Sequence, residues 1–116
     1  MAIDALDNMP SRFILERACR GAGVPLVHGA VAGFSGQLMT IFPEDAGFQA
    51  IYGNGETTPE KGIETELGNL AGIVSAVGSL QVQETVKVLT GIGRPLRNRL
   101  LFLDSLNGVA EIISLK

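Results

Sequence analysis

The sequence predicts an α/β domain with a mixed sheet, one short and one long helix, and a C-terminal β-hairpin. Three observations predict it. A long apolar periodicity over residues 67–89 has helical spacing, whereas short Val-, Leu- and Ile-rich runs elsewhere have the length of strands. Fifteen glycines stand against five phenylalanines, one tyrosine and no tryptophan, a balance that suits α/β layers better than a β-sandwich filled by large rings. With 116 residues, 46% of them hydrophobic and 18% charged, residues 1–116 are expected to form a single domain around one core.

The opening MAIDALDNMPSR reads as the end of a strand, with Ile3 and Leu6 as its larger apolar side chains and Asp7-Asn8 as a polar stop. A helix follows over about residues 9 to 22. Asn8 is a good N-cap, and Pro10 sits in the first turn, where its missing N–H is harmless. Ile14, Leu15, Ala18, Cys19 and Ala22 recur on one face, with Glu16 and Arg20 paired on the other. Gly21, Gly23 and Pro25 end the helix. PLVHGAV and QLMTIF then read as antiparallel neighbours joined by a tight glycine-containing turn. Residues 43–62 hold PEDAG and GNGETTPEKG with little periodicity and are expected to be a long loop, either functional or a solvated excursion.

The long helix is expected over Leu67–Leu89, with Leu70, Ile73, Val74, Val77 and Leu80 as its apolar stripe. Gly68, Gly72, Ala76 and Ser79 line an adjoining stripe and predict close backbone approach to a sheet in the first half. The second half, with Gln81, Gln83, Glu84 and Lys87, is expected to reach solvent before Gly91, Gly93 and Pro95 end it. RLLFLDSLNGVAEIISLK closes the chain with two strand-like runs about Asn107-Gly108, a hairpin signal.

Charge and cysteine content exclude several function classes. Nine Lys and Arg against twelve Asp and Glu give a net charge of −3 with no cluster of either sign, so neither nucleic acid nor an anionic membrane is an expected partner. One cysteine allows no internal disulfide and no Cys-based zinc site. Apolar runs fall short of the roughly 20 residues that cross a bilayer, and the first residues lack a signal-peptide pattern, so the expected compartment is the cytoplasm.

Asp7, between a strand and a helix, stands at the carboxyl edge of the sheet, where ligands of open α/β folds bind, and a carboxylate there can hold Mg²⁺ beside a nucleotide phosphate. Helix capping by Asp7 and Asn8 is the simpler reading of the same pattern. Arg12, one turn on, suits an anion or an ion pair. His28 reads as a satisfied, partly buried histidine, Cys19 as a packed thiol, and Glu64 and Glu66 as charges favouring the start of the long helix. Neither G-x-G-x-x-G after a strand nor G-x-x-x-x-G-K-[ST] occurs, so the chain carries no phosphate cradle.

Four segments in order resemble the C-terminal half of the ThiF/MoeB/HesA family: AIDALDNMPSR, VPLVHGAVAGFSGQLMTIFP, GIVSAVGSLQVQETVKVLTGIGRPL and RLLFLDSLNGVAEIISLK. The resemblance implies a partial Rossmann-like three-layer fold. It also implies a protein that binds ATP and Mg²⁺ and adenylates the C-terminal carboxylate of a ubiquitin-like sulfur-carrier protein, as in thiamin or molybdopterin biosynthesis. By the family motif, Asp7 is the catalytic and Mg²⁺-binding carboxylate, with Asn8 and Arg12 as its neighbours at the nucleotide.

Several departures limit what is carried over. The family's glycine-rich loop and phosphate-gripping cations belong to a half that this sequence does not contain, so the chain is expected to be inactive alone and to bind no cofactor tightly. GFQAIYG stands where many members have Cys-x-x-Cys, so no zinc is expected, and Glu64 stands where some carry a cysteine. Members are usually homodimers, which makes a homodimer the expected assembly. A non-catalytic dimerising or carrier-binding module of the same fold is the second reading, and a piece of an NAD or FAD oxidoreductase the third. An uncovered edge at strand 2–6 would further favour self-association.

Overall fold

The computed structural model describes residues 1–53 and 70–115. Five strands form one sheet in the order β1-β2-β3-β4-β5: Ala2–Ile3, Leu26–Ala32, Ser35–Ile41, Arg99–Asp104 and Val109–Ser114. β1 pairs with β2 in parallel and every other pair is antiparallel, so the sheet is mixed, as expected. Helices α1 (Met9–Ala22) and α2 (Phe48–Tyr52) contribute to the core on one face, and α3 (Ala71–Thr90) packs on the other. This is the α/β layering of a partial Rossmann-like fold.

Local chemistry sets the element boundaries. Asn8 caps α1 by accepting a 2.9 Å hydrogen bond from the Ser11 N–H, and Gly23, at φ 71°, ends it in a left-handed conformation that glycine adopts without a Cβ clash. The Gly33-Phe34 turn joins β2 to β3, whose register runs from Leu26 opposite Ile41 to Ala32 opposite Ser35. Ser105–Gly108 joins β4 to β5, where Asp104 Oδ1 accepts from the backbone of Leu106 and Asn107.

Several expectations are corrected. β1 is only two residues long, and Ile3 and Leu6 are both exposed. Of the predicted α1 stripe, Cys19 and Leu15 pack on the core, whereas Ile14, at 61%, Ala18 and Ala22 are exposed, and Met9, Arg12, Phe13 and Glu16 turn inward instead. Polar partners inside the fold override apolar periodicity here. Arg12 meets Asp4, and the predicted Glu16–Arg20 pair forms at 3.7 Å, with the Glu16 carboxylate also accepting a 2.6 Å bond from the Phe48 N–H at the start of α2.

Within the segment expected as a loop, 43–62, α2 seats Phe48 in the core, edge-on to Phe13 and His28. Residues 54–62, Glu64, Glu66, Leu67 and Gly68 lie outside the described residues.

The largest correction concerns α3. Its buried line is Ile73, Val77, Gln81 and Glu84, so the predicted solvent half is anchored through two polar residues. Glu84, 2% exposed, accepts 2.7 Å bonds from Thr40 Oγ1 and the Leu96 N–H and pairs with Lys87. Gly72, Ala76 and Ser79 face outward. The close approach comes instead from strand glycines: a Cβ on Gly29 would lie 2.8 Å from Val77 Cγ1, and one on Gly36 would lie 2.5 Å from Val77 Cγ2. The helix settles onto the sheet where strand side chains are missing. Among the described residues, no helix is long and apolar enough to cross a membrane.

Candidate functional site

Where β1 ends, its chain turns into α1 across the open edge of the sheet and leaves a cleft of about 300 Å³. One wall is Asp4–Asp7 with Arg12, the floor is Gly29–Val31 of β2, and the opposite wall is Val74, Val77, Gly78 and Gln81 of α3. This is the carboxyl end of a parallel strand pair, the usual ligand edge of α/β sheets.

Asp7 is exposed on the cleft wall, and one of its oxygens accepts a 3.1 Å bond from the Asn8 amide. Asn8 holds two roles, capping α1 through its oxygen and orienting Asp7 through its nitrogen. Arg12 is buried, with Nε 3.2 Å from Asp4 Oδ2 and Nη2 donating to the Leu6 carbonyl at 2.6 Å. The three residues singled out from the sequence are therefore neighbours, but only Asp7 presents its charge outward.

Beneath them lies a network centred on Asp4, which the sequence did not single out. Its Oδ2 meets His28 Nδ1 at 2.6 Å as well as Arg12, and its Oδ1 accepts from the Leu6 N–H at 3.0 Å. His28 Nε2 lies 2.9 Å from Gln37 Nε2, which also donates to Tyr52 Oη. Satisfying both ring nitrogens requires a neutral imidazole, with Nδ1–H donating to Asp4 and Nε2 accepting from Gln37. Gln81 reaches across from α3 to donate to the carbonyls of Asp4 and Val27. The only signals for this network were a carboxylate just after a strand and a histidine within one.

Burial pushes the His28 pKa below its ordinary 6.5, outweighing the support that Asp4 gives the charged ring. The unfolded chain therefore takes up this proton first as pH falls. The stabilisation that His28 contributes is complete above about pH 6.5 and is lost below it. Urea melts between about pH 7.5 and 5.5 are expected to show stability falling with acid by up to about 1.4 kcal/mol per pH unit, and His28→Gln to flatten that slope. Cys19 is buried and burial raises its thiol pKa, which fits packing rather than nucleophilic chemistry.

A model of the ThiF family matches residues 1–116. The chain belongs to the ThiF family. It is 35% identical to the SAMP-activating enzyme E1 of Haloferax volcanii, an alignment covering 97% of this chain and 42% of that protein. It is 32% identical to the sulfur carrier protein ThiS adenylyltransferase of Escherichia coli K12, over 88% and 41% respectively. It is 30% identical to the molybdopterin-synthase adenylyltransferase of the same organism, over 91% and 43%. The chain thus spans about two fifths of the length of these relatives. Among solved structures, a crystal structure of PaaA shares the fold, with a TM-score of 0.63 at 12% identity, covering 91% of this chain and 33% of that one.

The cleft fits one part of the ligand set that the family implies. A hard divalent cation prefers oxygen donors and is commonly held by one or two carboxylates plus substrate phosphates, which matches the exposed Asp7. Phosphates fit less well. Arg12 is the one cation among the described lining residues, and it is engaged with Asp4 and Leu6. Among the described residues, no three His, Cys, Asp or Glu side chains converge as a self-sufficient metal site.

Proposed function

We propose that this ThiF-family chain forms the metal-side wall of the nucleotide pocket in an adenylating protein acting on a ubiquitin-like sulfur carrier. The observation that supports it is Asp7, an exposed carboxylate held at the cleft on the carboxyl edge of the sheet. In the reaction proposed, an oxygen of the carrier's C-terminal carboxylate attacks the α-phosphorus of ATP, the bond to pyrophosphate breaks, and pyrophosphate leaves. Mg²⁺, when bound, would neutralise phosphate charge as the new oxygen–phosphorus bond forms. Asp7 is the catalytic-site carboxylate that holds the ion, and Asn8 orients it. Arg12 belongs to the same site through its neighbours.

The donor set argues for an incomplete nucleotide site, because the sequence has no glycine-rich cradle and the one cation among the cleft's described lining residues is already paired. On that ground the chain alone is read as inactive; a homodimer in the cytoplasm is the assembly and compartment proposed with it. The exposed Val109, Ile112 and Ile113 on the outer strand support self-association. Titration of the labelled chain with Mg·ATP tests the reading. Binding is expected to be weak, with a dissociation constant above about 1 mM. Shifts are expected at Asp7, Asn8, Gly29–Val31 and Gly78, and Asp7→Asn should abolish them. Tight binding, or shifts indifferent to Asp7→Asn, would contradict it.

A further inference from the structure

Asp7 lies on a segment too short to be held by regular structure, between the last residue of β1 and the cap of α1. Its backbone is nevertheless gripped immediately upstream. The Leu6 N–H donates to Asp4 Oδ1 at 3.0 Å, and the Leu6 carbonyl accepts from Arg12 Nη2 at 2.6 Å. The two gripping side chains are themselves joined through Arg12 Nε and Asp4 Oδ2, 3.2 Å apart, and that same oxygen is braced by His28 from β2. Asp4, Arg12 and His28 are all nearly or fully buried, and the charges of Asp4 and Arg12 face each other rather than open solvent. On the downstream side the Asn8 amide fixes the carboxylate itself.

We propose that Arg12 is a positioning residue: with Asp4 and His28 it clamps the Leu6 peptide and so sets the Asp7 carboxylate at the cleft, rather than contacting a nucleotide itself. The guanidinium suits this task because it donates to the Leu6 carbonyl through Nη2 while its charge lies beside the Asp4 carboxylate. One buried carboxylate, Asp4, accepts from Leu6 and His28 and forms an ion pair with Arg12. The final link, from an ordered Leu6 to a competent Asp7, rests on the proposed role of Asp7 at the metal. The clamp itself does not.

The test uses the isotope-labelled full chain with two readouts. Amide exchange at Leu6 reports the clamp without any ion, and paramagnetic broadening by Mn²⁺ at Asp7 and Asn8 reports the carboxylate. Arg12→Gln is expected to speed Leu6 exchange at least about tenfold while amides in β2 and β3 keep their protection. It should also weaken Mn²⁺ binding at Asp7 by about tenfold, the scale of losing an outer support of a metal ligand. Arg12→Lys keeps a cation opposite Asp4 and is expected to restore the melting temperature but not Leu6 protection. That split separates positioning from bulk stability and keeps the test available if Arg12→Gln fails to fold.

Unchanged Leu6 exchange in either folded variant overturns the clamp. Broadening that Asp7→Asn removes but both Arg12 variants leave intact overturns the link to Asp7. Wild-type protein with no broadening at Asp7 defeats that link together with the metal reading, while Leu6 exchange still decides the clamp.

Discussion

Replacing Asp4 with alanine is expected to destabilise the fold by about 3–5 kcal/mol, measured as a shift in the urea midpoint at neutral pH. The cost follows from what the carboxylate leaves behind. Arg12 is 3% exposed and would keep its charge while losing the Asp4 carboxylate beside it. His28 would lose the acceptor for Nδ1, and the Leu6 N–H its side-chain partner. A loss of this size is a large share of the roughly 5–15 kcal/mol that holds a domain together. Combining Asp4→Ala with Arg12→Met should recover part of it, because the buried positive charge goes too, and a double-mutant cycle is expected to give a coupling of about 2 kcal/mol. A single-mutant loss below about 1 kcal/mol would mean that water or rearrangement compensates Arg12 readily.

Gly29→Val is expected to cost about 2–4 kcal/mol, by overpacking and by breaking the hydrogen bonds of Gln81. Even the first added carbon would stand 2.6 Å from Gln81 Cδ and 2.8 Å from Val77 Cγ1. Gln81 can swing aside only by releasing the carbonyls of Asp4 and Val27, and Val77 is held by its stiff helical rotamer. Each kcal/mol corresponds to roughly 3–5 °C in melting temperature for a domain of this size, so a thermal scan resolves the effect. Gly78→Ala is the contrasting control. Its Cβ would meet nothing within 4 Å, and replacing a glycine inside α3 should raise stability by up to about 1 kcal/mol.

These effects locate the boundary of what the sequence makes legible. Elements written in local chemistry were readable: the Asn8 cap, the Gly23 stop and the antiparallel pair about Gly33-Phe34 fall where the residues dictate. The inward faces were not, because periodicity counts apolar residues while this fold buries Arg12, Gln81 and Glu84 against polar partners on other segments of the chain. A carboxylate and a guanidinium eight residues apart carry no visible sign that they meet below 4 Å in the interior. The same holds for the helix–sheet contact: glycines within α3 drew attention, yet the decisive ones are in β2 and β3. At the candidate site, Asp7, Asn8 and Arg12 were named from a motif, but Asp4, which binds Arg12 and the peptide before Asp7, emerged only once β1, α1 and β2 were assembled.

The seating of α3 over Gly29 and Gly36 also restricts how the two layers can move. Both branches of Val77 drop into hollows on neighbouring strands, one above each glycine. Sliding the helix lengthwise would drive those methyls against flanking strand side chains, a barrier that a smooth interface would not present. Any change in the width of the opening beside Asp7 must therefore come from lifting or tilting of α3, or from the β1–α1 turn on the other bank.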